Sequence, residues 1–364
     1  MSLEGELRVG LRLDQGRIAG VRIVSTRPDV ASALLQGRSR AEVEAAVPLL
    51  FSLCGRSQAT ASRLACAAAA GESPSAELLE SSRASVAAEM VRETAWHTLL
   101  QWPRWMGEAP SPSAVAAARG ALAYRWGLPE SDVQVLALAD AAWGCPASEW
   151  LQIQTWPELR RWAAAGATAT ARFLHHELIN EGGTDDSTAP PLLPPPDAGW
   201  LLVLAQAAAA DPGFSRRPVW RGAAAETGAL ARLQTDALLA STPGRPAART
   251  LPRFVARLRE LALLLAGRTQ PQVGAMTLAD GSGLAWVDNA RGLLIHQVAL
   301  AGDRVQHYRI VAPTEWNFHP VGALNHALLG AAVPNAAAAL RLGERLVHSL
   351  DPCVACRVDL DEAG

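Results

Sequence analysis

The hydrophobic period of this chain changes twice, and that limits its possible folds more than any other feature. Between residues 3 and 24 apolar side chains alternate with polar ones: Leu7, Val9, Leu11 and Leu13, then Ile18, Val21 and Ile23, with Asp14-Gln15-Gly16 between them. A period of two around a glycine turn predicts a β-hairpin. From Arg38 the spacing becomes helical, beginning with Val43, Ala46, Val47 and Leu50. It stays helical through most of the chain and reverts to alternation over 283–311, with a turn at Ala301-Gly302-Asp303. The expected class is therefore α+β and helix-dominated, with small antiparallel sheets near both ends of the sequence.

Proline and glycine punctuate the helical body. A long helix is expected from Ser73-Pro74 to a stop at Trp102-Pro103. Ser111-Pro112, Gly127-Leu128-Pro129, Gly144-Cys145-Pro146 and Trp156-Pro157 set off further helices, and one spanning about 167–181 ends at Gly182-Gly183. Pro190-Pro191 and Pro194-Pro195-Pro196 make 183–199 a long loop. Later helices are expected near 229–240, 252–267 and 335–349. No internal repeat is visible. Residues 1–364 read as a single domain. Its parts are a hairpin (1–24), a helical region (38–182), the proline-rich loop (183–199), a second helical region (200–270), a small β-sheet (271–318), and C-terminal helices with a cysteine pair (319–364).

Composition removes several classes of function. The sequence contains no lysine, which excludes P-loop, Schiff-base and kinase-type lysine chemistry. A net charge of −2 and a pI near 6.5 give no general attraction to nucleic acid or acidic membrane. Five cysteines, an odd number scattered over a long chain, do not form a secreted disulfide framework and fit a reducing cytoplasm. Met1-Ser2-Leu3-Glu4 shows no basic segment followed by an apolar one, and the longest apolar runs fall short of the ~20 residues that span a bilayer. The expectation is a cytoplasmic protein with no membrane span and no nucleic-acid partner. His175-His176-Glu177 is expected in a surface or capping role and not as a metal site, because adjacent helical histidines point about 100° apart and no spaced partner follows. Trp96, Trp102, Trp105, Trp126, Trp143, Trp150, Trp156 and Trp162 are expected to fill core. Cys66 and Cys145 are expected to behave as small buried hydrophobes.

The chemistry concentrates at Asp351-Pro352-Cys353-Val354-Ala355-Cys356. Two thiols at this spacing can reach one soft metal ion or one another, and alone they fit half a zinc site, a redox pair or two packed cysteines. The segment resembles the carboxyl-terminal DPCxxCxxH motif of the large subunit of nickel-iron hydrogenases. Further matches to that family follow in the same order along the chain. Glu4-Gly5-Glu6-Leu7-Arg8 resembles its E-G-x-L-R opening, and Cys54-Gly55-Arg56-Ser57 stands where it carries CGxC. Glu226-Thr227-Gly228-Ala229-Leu230-Ala231-Arg232 resembles E-V-G-P-L-A-R. Asp288 to His296 is similar to E-x-P-R-G-x-L-x-H, and Val311 to Asn317 to V-P-S/T-T-W-N.

The resemblance implies a helix-dominated, large-subunit-like bundle packed around a buried metal crevice. It implies Glu4 beside the metal as a proton relay, and Arg291 and Thr314 as donors to the two cyanides of an iron centre. Pro313 and Leu294 then fall on the same pocket, Leu294 as apolar lining. Cys54, Cys353 and Cys356 become the metal-binding thiols, with Cys356 matching a bridging ligand and Cys353 a terminal ligand on nickel. Ser57 departs from the pattern, standing where a second bridging thiolate belongs. So do Ala61 and Asp359, both at histidine positions, and Ala290, which replaces the proline before the arginine. A serine hydroxyl is a hard, protonated and poor ligand for such a centre, so a permanent catalytic site is not expected. The pattern resembles the HupK/HoxV family of hydrogenase maturation proteins. This implies a non-enzymatic scaffold, a metallochaperone that holds Fe(CN)2CO transiently before transfer to the apo large subunit; whether nickel also binds is left open. HypC/HupF/HoxL-type maturation chaperones and the iron-ligand assembly complex are the implied partners. A metal-free mimic of the large subunit, a three-thiolate zinc protein and a working hydrogenase are the competing readings.

Overall fold

The computed structural model describes residues 5–26, 30–51, 53–128, 131–179, 189–242 and 249–361. The predicted hairpin is β1 (Glu6–Asp14) and β2 (Arg17–Ser25), antiparallel with Val9 opposite Ile23 and a register shift at Arg12/Leu13. Its sheet contains a strand that local reading assigned only to the cysteine-pair region. β7 (Ala355–Leu360) lies parallel to β1, giving the order β2-β1-β7 and placing Leu7 beside Cys356 and Val9 beside Val358. The first sheet is therefore mixed rather than antiparallel. Parallel neighbours need a crossover connection, and here the whole body of the protein supplies it.

The second sheet is antiparallel, and three of its strands lie where alternation over 283–311 put them, while the first lies before that stretch but within the expected 271–318 sheet region. β3 (Val273–Thr277), β4 (Gly283–Asn289), β5 (Gly292–Ala301) and β6 (Arg304–Val311) follow in sequence order. Both faces of β5 are covered, so Gly292–Val298 is buried throughout, His296 and Gln297 included. Leu294 and Val298 face the largest core, while Leu293 and Ile295 face a smaller one with Leu201, Leu204, Phe214 and Trp316. A third core lies under the terminal sheet, where Leu7, Val9 and Leu11 meet Leu346, Val347 and Leu350.

Among the helices, Gly55–Ala69 and Ala76–Trp96 run beside the sheet, Thr250–Leu265 crosses the largest core, and Ala336–Leu350 leads into β7. Several boundaries differ from expectation. Ser75, not Ser73-Pro74, caps the Ala76 helix, accepting a bond from the Leu78 amide. Trp102-Pro103 does not stop that helix. A π-helical turn at His97–Gln101 intervenes, and helix resumes over Trp102–Trp105 with Pro103 in its first turn, where a missing N–H costs nothing. The helix expected at 229–240 divides into Ala229–Arg232 and Ala237–Ala240, because Asp236 caps a fresh start through the Leu238 amide. Residues 189–197 are irregular except for a bridge between Leu192 and Glu226, and helix Ala198–Ala210 begins just inside the expected loop; residues 183–188 lie outside the described set. Trp102, Trp143, Trp150 and Trp156 are buried, and Trp105, Trp126 and Trp162 pack on the same core. Trp96 is 46% exposed and is not a core residue. His176 is exposed and Cys66 fully buried, as expected, but Glu177 is buried and paired with Arg345 at 2.6 Å rather than at the surface; Cys145 is partly buried against the core. No helix among the described residues is long and apolar enough to cross a membrane.

Candidate functional site

Arg291 sits at the tight turn between β4 and β5, and its backbone is held from three directions. Asn289 Oδ1 accepts from the Arg291 and Gly292 amides at 2.9 and 3.1 Å, and Asn317 Nδ2 donates to the Arg291 carbonyl at 3.3 Å. Thr227 Oγ1 accepts from the Leu293 amide at 3.0 Å, while the Thr227 amide donates to Asn317 Oδ1 at 2.9 Å. Glu226, paired with Arg253 at 2.7 Å, anchors this segment in the core.

Cys54 precedes the first turn of the Gly55 helix. Its thiol accepts from Gln58 Nε2 at 3.7 Å; Gln58 Oε1 lies 2.8 Å from His296 Nε2, and His296 Nδ1 lies 2.8 Å from the Tyr308 hydroxyl. Burial lowers the His296 pKa to about 3, so the ring is neutral, with its Nε2 proton directed at Gln58 and Tyr308 donating to Nδ1. Burial, then the nearby Cys353 and Glu89, push the Cys54 thiol up to about 12. Cys353 follows the Asp351-Pro352 bend, and its Sγ lies 3.0 Å from Thr314 Oγ1. Pro313 and Thr314 open the short helix Pro313–Asn317, both buried.

The charges form a second ring. Arg291 Nη2 donates to Glu93 Oε2 at 3.2 Å, and Asp351 Oδ2 lies 3.8 Å from both Arg291 Nε and Arg257 Nη1. His97 Nε2 lies 3.4 Å from Asp351 Oδ1. Burial opposes the charge on Arg291, yet Asp351, Glu93, Cys353 and Cys54 more than offset it and hold its pKa above the usual value. Burial alone would raise Asp351, but His97, Arg291 and Arg257 bring it down to about 2. Arg291 Nε, Arg257 Nε and Nη1, and His97 Nδ1 are buried without hydrogen-bond partners. The two guanidinium groups therefore have donors to spare for an acceptor. Glu93, His97, Arg291 and Asp351 border a crevice of about 690 Å³ between the His97 turn and the 351–359 segment, while Arg257 lines a separate cavity of about 30 Å³.

Four segments distant in sequence thus bring Cys54, Cys353, Thr314 and Arg291 together. Cys356 lines the same crevice but shares a face with Val354 and Val358 against the core under the terminal sheet. Burial and then Glu6 raise its thiol to about 12. Leu294 is fully buried in the largest core, and Glu4 lies outside the described residues. Among the described residues no three histidine, cysteine or acidic side chains gather in metal-binding geometry. Motif reading missed Glu93, His97 and Arg257, whose helical spacing looks like that of any charged face. Asp351 carried a signal, its place directly before Pro352-Cys353.

This fold is that of the nickel-iron hydrogenase large subunit. The Ni-Fe-Se hydrogenase from D. vulgaris Hildenborough in its reduced state matches with a TM-score of 0.57 at 14% identity, covering 94% of both chains. An NAD+-reducing NiFe hydrogenase matches with a TM-score of 0.55 at 17% identity, again over 94% of both. The family description "nickel-dependent hydrogenase" fits residues 230–359. Over nearly its whole length the chain is 32% identical to the hydrogenase expression/formation protein HoxV of Cupriavidus necator, covering 96% of this chain and 94% of that one. It is 30% identical to HupK of Rhizobium leguminosarum bv. viciae, covering 99% and 98%. The chain belongs to the HoxV/HupK family of hydrogenase expression/formation proteins.

Proposed function

We propose that this protein is a cytoplasmic maturation scaffold that holds an Fe(CN)2CO fragment as cargo, with or without nickel, before transfer to the apo large subunit of an uptake hydrogenase. HypC/HupF/HoxL-type chaperones and the iron-ligand assembly complex are its partners in this reading. The observation that carries it is the convergence of Cys54, Cys353, Thr314 and Arg291 from four segments. Thiols supply soft ligands, and the guanidinium and hydroxyl supply donors to anionic diatomic ligands. The unpaired Nε–H of Arg291, on the crevice wall, fits an acceptor-rich cargo. Ser57 in place of a bridging thiolate fits a hold that is released rather than a resident catalytic centre. The same departure argues against turnover of hydrogen by this chain.

Infrared spectra of the protein co-produced with the iron-ligand machinery test this reading. Carbonyl and cyanide bands should travel with the parent and disappear in Cys353→Ala/Cys356→Ala. Arg291→Leu should keep bound fragment with shifted cyanide bands and a nearly unmoved carbonyl band, since losing a donor to a charged group costs only about 1.5–3 kcal/mol. Among the described residues, the absence of a three-ligand cluster favours one competitor, a metal-free mimic of the large subunit that engages the same partners. Full maturation activity in the Cys353→Ala/Cys356→Ala protein would favour the mimic.

A further inference from the structure

The Gly55 helix begins without a cap of its own. Its N-cap residue is Cys54, whose side chain makes no bond to the first-turn amides, and a thiol accepts hydrogen bonds weakly. Serine, threonine, aspartate or asparagine usually fills that place and takes the second or third amide of the helix. Here those amides go elsewhere. Arg56 N donates to Glu89 Oε2 at 2.7 Å, Ser57 N donates to Glu89 Oε1 at 3.1 Å, and the Ser57 hydroxyl donates to the same Oε1. Glu89 belongs to the Ala76 helix, and both it and Ser57 are buried, at 3% and 0% exposure. Burial pushes the Glu89 carboxyl above its ordinary range, and the bonds from the Ser57 hydroxyl and the Arg56 and Ser57 amides pull it partly back.

We propose that Glu89 is a positioning residue for the cargo site. Acting as an N-cap supplied by a second helix, it leaves the Cys54 thiol free of capping and available to a metal. It also commits the Ser57 side chain to itself, so the corner at position 57 stays closed to a further ligand whichever small side chain stands there. The proposal rests on the reading of Cys54 and Cys353 as cargo-holding thiols. It goes beyond that reading in one respect: the serine is not the sole determinant of the missing ligand, because restoring a thiol without removing Glu89 leaves that thiol turned toward the carboxylate.

Anaerobic titration of the full chain with Co2+ tests this through the thiolate-to-cobalt charge-transfer absorption in the near ultraviolet. In the parent the band should fall by one thiolate increment in Cys54→Ala, which calibrates the scale. Ser57→Cys should show the parent intensity, and Ser57→Cys/Glu89→Ala should gain one increment. Glu89→Gln should speed hydrogen exchange at the Arg56 and Ser57 amides, a local readout that does not depend on metal. A full increment in Ser57→Cys alone overturns the role of Glu89 while leaving the cysteine reading intact. That arm needs only an isosteric change, so it decides the question even if Glu89→Ala does not fold. A parent without a thiolate band, or with a band that survives Cys54→Ala, removes the cysteine reading and this proposal with it.

Discussion

Asp351 shows how much one side chain can hold in place. It caps the Ala336 helix in a left-handed conformation, φ +53°, that few residues other than glycine, asparagine and aspartate adopt readily. From there its carboxylate faces His97, Arg291 and Arg257 while the chain bends into Pro352-Cys353. Its folded pKa, about 2, lies below the value of about 4 for an unfolded aspartate, so the stability it adds is complete above pH 4. As pH falls toward 2 the unfolded chain takes up the proton first, and roughly 2 kcal/mol is lost. Asp351→Asn leaves two buried guanidinium groups facing a neutral amide and should cost about 3–5 kcal/mol at pH 7. Urea unfolding at stepped pH should show the gap from the parent narrowing between pH 4 and pH 2; a constant gap would mean that the carboxylate is not paired as described.

Among the elements, the β4–β5 turn is the most demanding, because it must aim Arg291 while two neighbouring segments press against it. Gly292 has φ +136°, and a Cβ there would meet the Thr227 side chain and lie 2.9 Å from the Gly228 nitrogen. Backbone strain and overpacking together predict a cost of about 2–5 kcal/mol for Gly292→Ala, with displacement of the Arg291 side chain. Gly302, in the next turn, has φ +60° with open space around it, so Gly302→Ala should cost only about 1–2 kcal/mol. Denaturant midpoints of the two variants measured side by side check the contrast, and equal losses would show that crowding at Thr227 contributes nothing. The π-helical turn at His97–Gln101 is a second specialised element. Its extra residue lets helix continue past Pro103 and sets His97 beside Asp351 and Arg291.

At the scale of the whole molecule, the segment carrying Cys353 and Cys356 is fastened to the start of the chain. β7 pairs with β1, and Leu11, fully buried, packs in the core beneath that sheet. This core is separate from the larger one crossed by the Thr250 helix. Leu11→Ala should remove about 2–5 kcal/mol from the terminal sheet. Because proteins open in cooperative parts, the loss should be local. Native-state hydrogen exchange should therefore accelerate across Ala355–Leu360 well before the amides of the Thr250 helix change. Equal acceleration in both would mean that the two cores unfold as one.

Much of this protein was legible along the chain, because side-chain period is set by local backbone geometry. Alternation at Leu7 to Ile23 and over 283–311 marked both sheets, and helical spacing marked the body between them. The cysteine pair stood out by its spacing, whereas Arg291 and Thr314 were marked only by resemblance to the hydrogenase large subunit. Partnership across the chain was decided only in three dimensions. Nothing local to Ala355–Leu360 names Glu6–Leu11 as its neighbour, although Cys356, Val358 and Leu360 do alternate. Glu89, Glu93 and His97 share the spacing of an ordinary solvated helix face. What separates them from one is the removal of water: packing puts Glu89 on the first amides of another helix and Glu93 and His97 beside Arg291 and Asp351, where an unpaired charge would be costly. The sequence determined which elements form and which reactive groups they carry, and burial decided which of those groups meet.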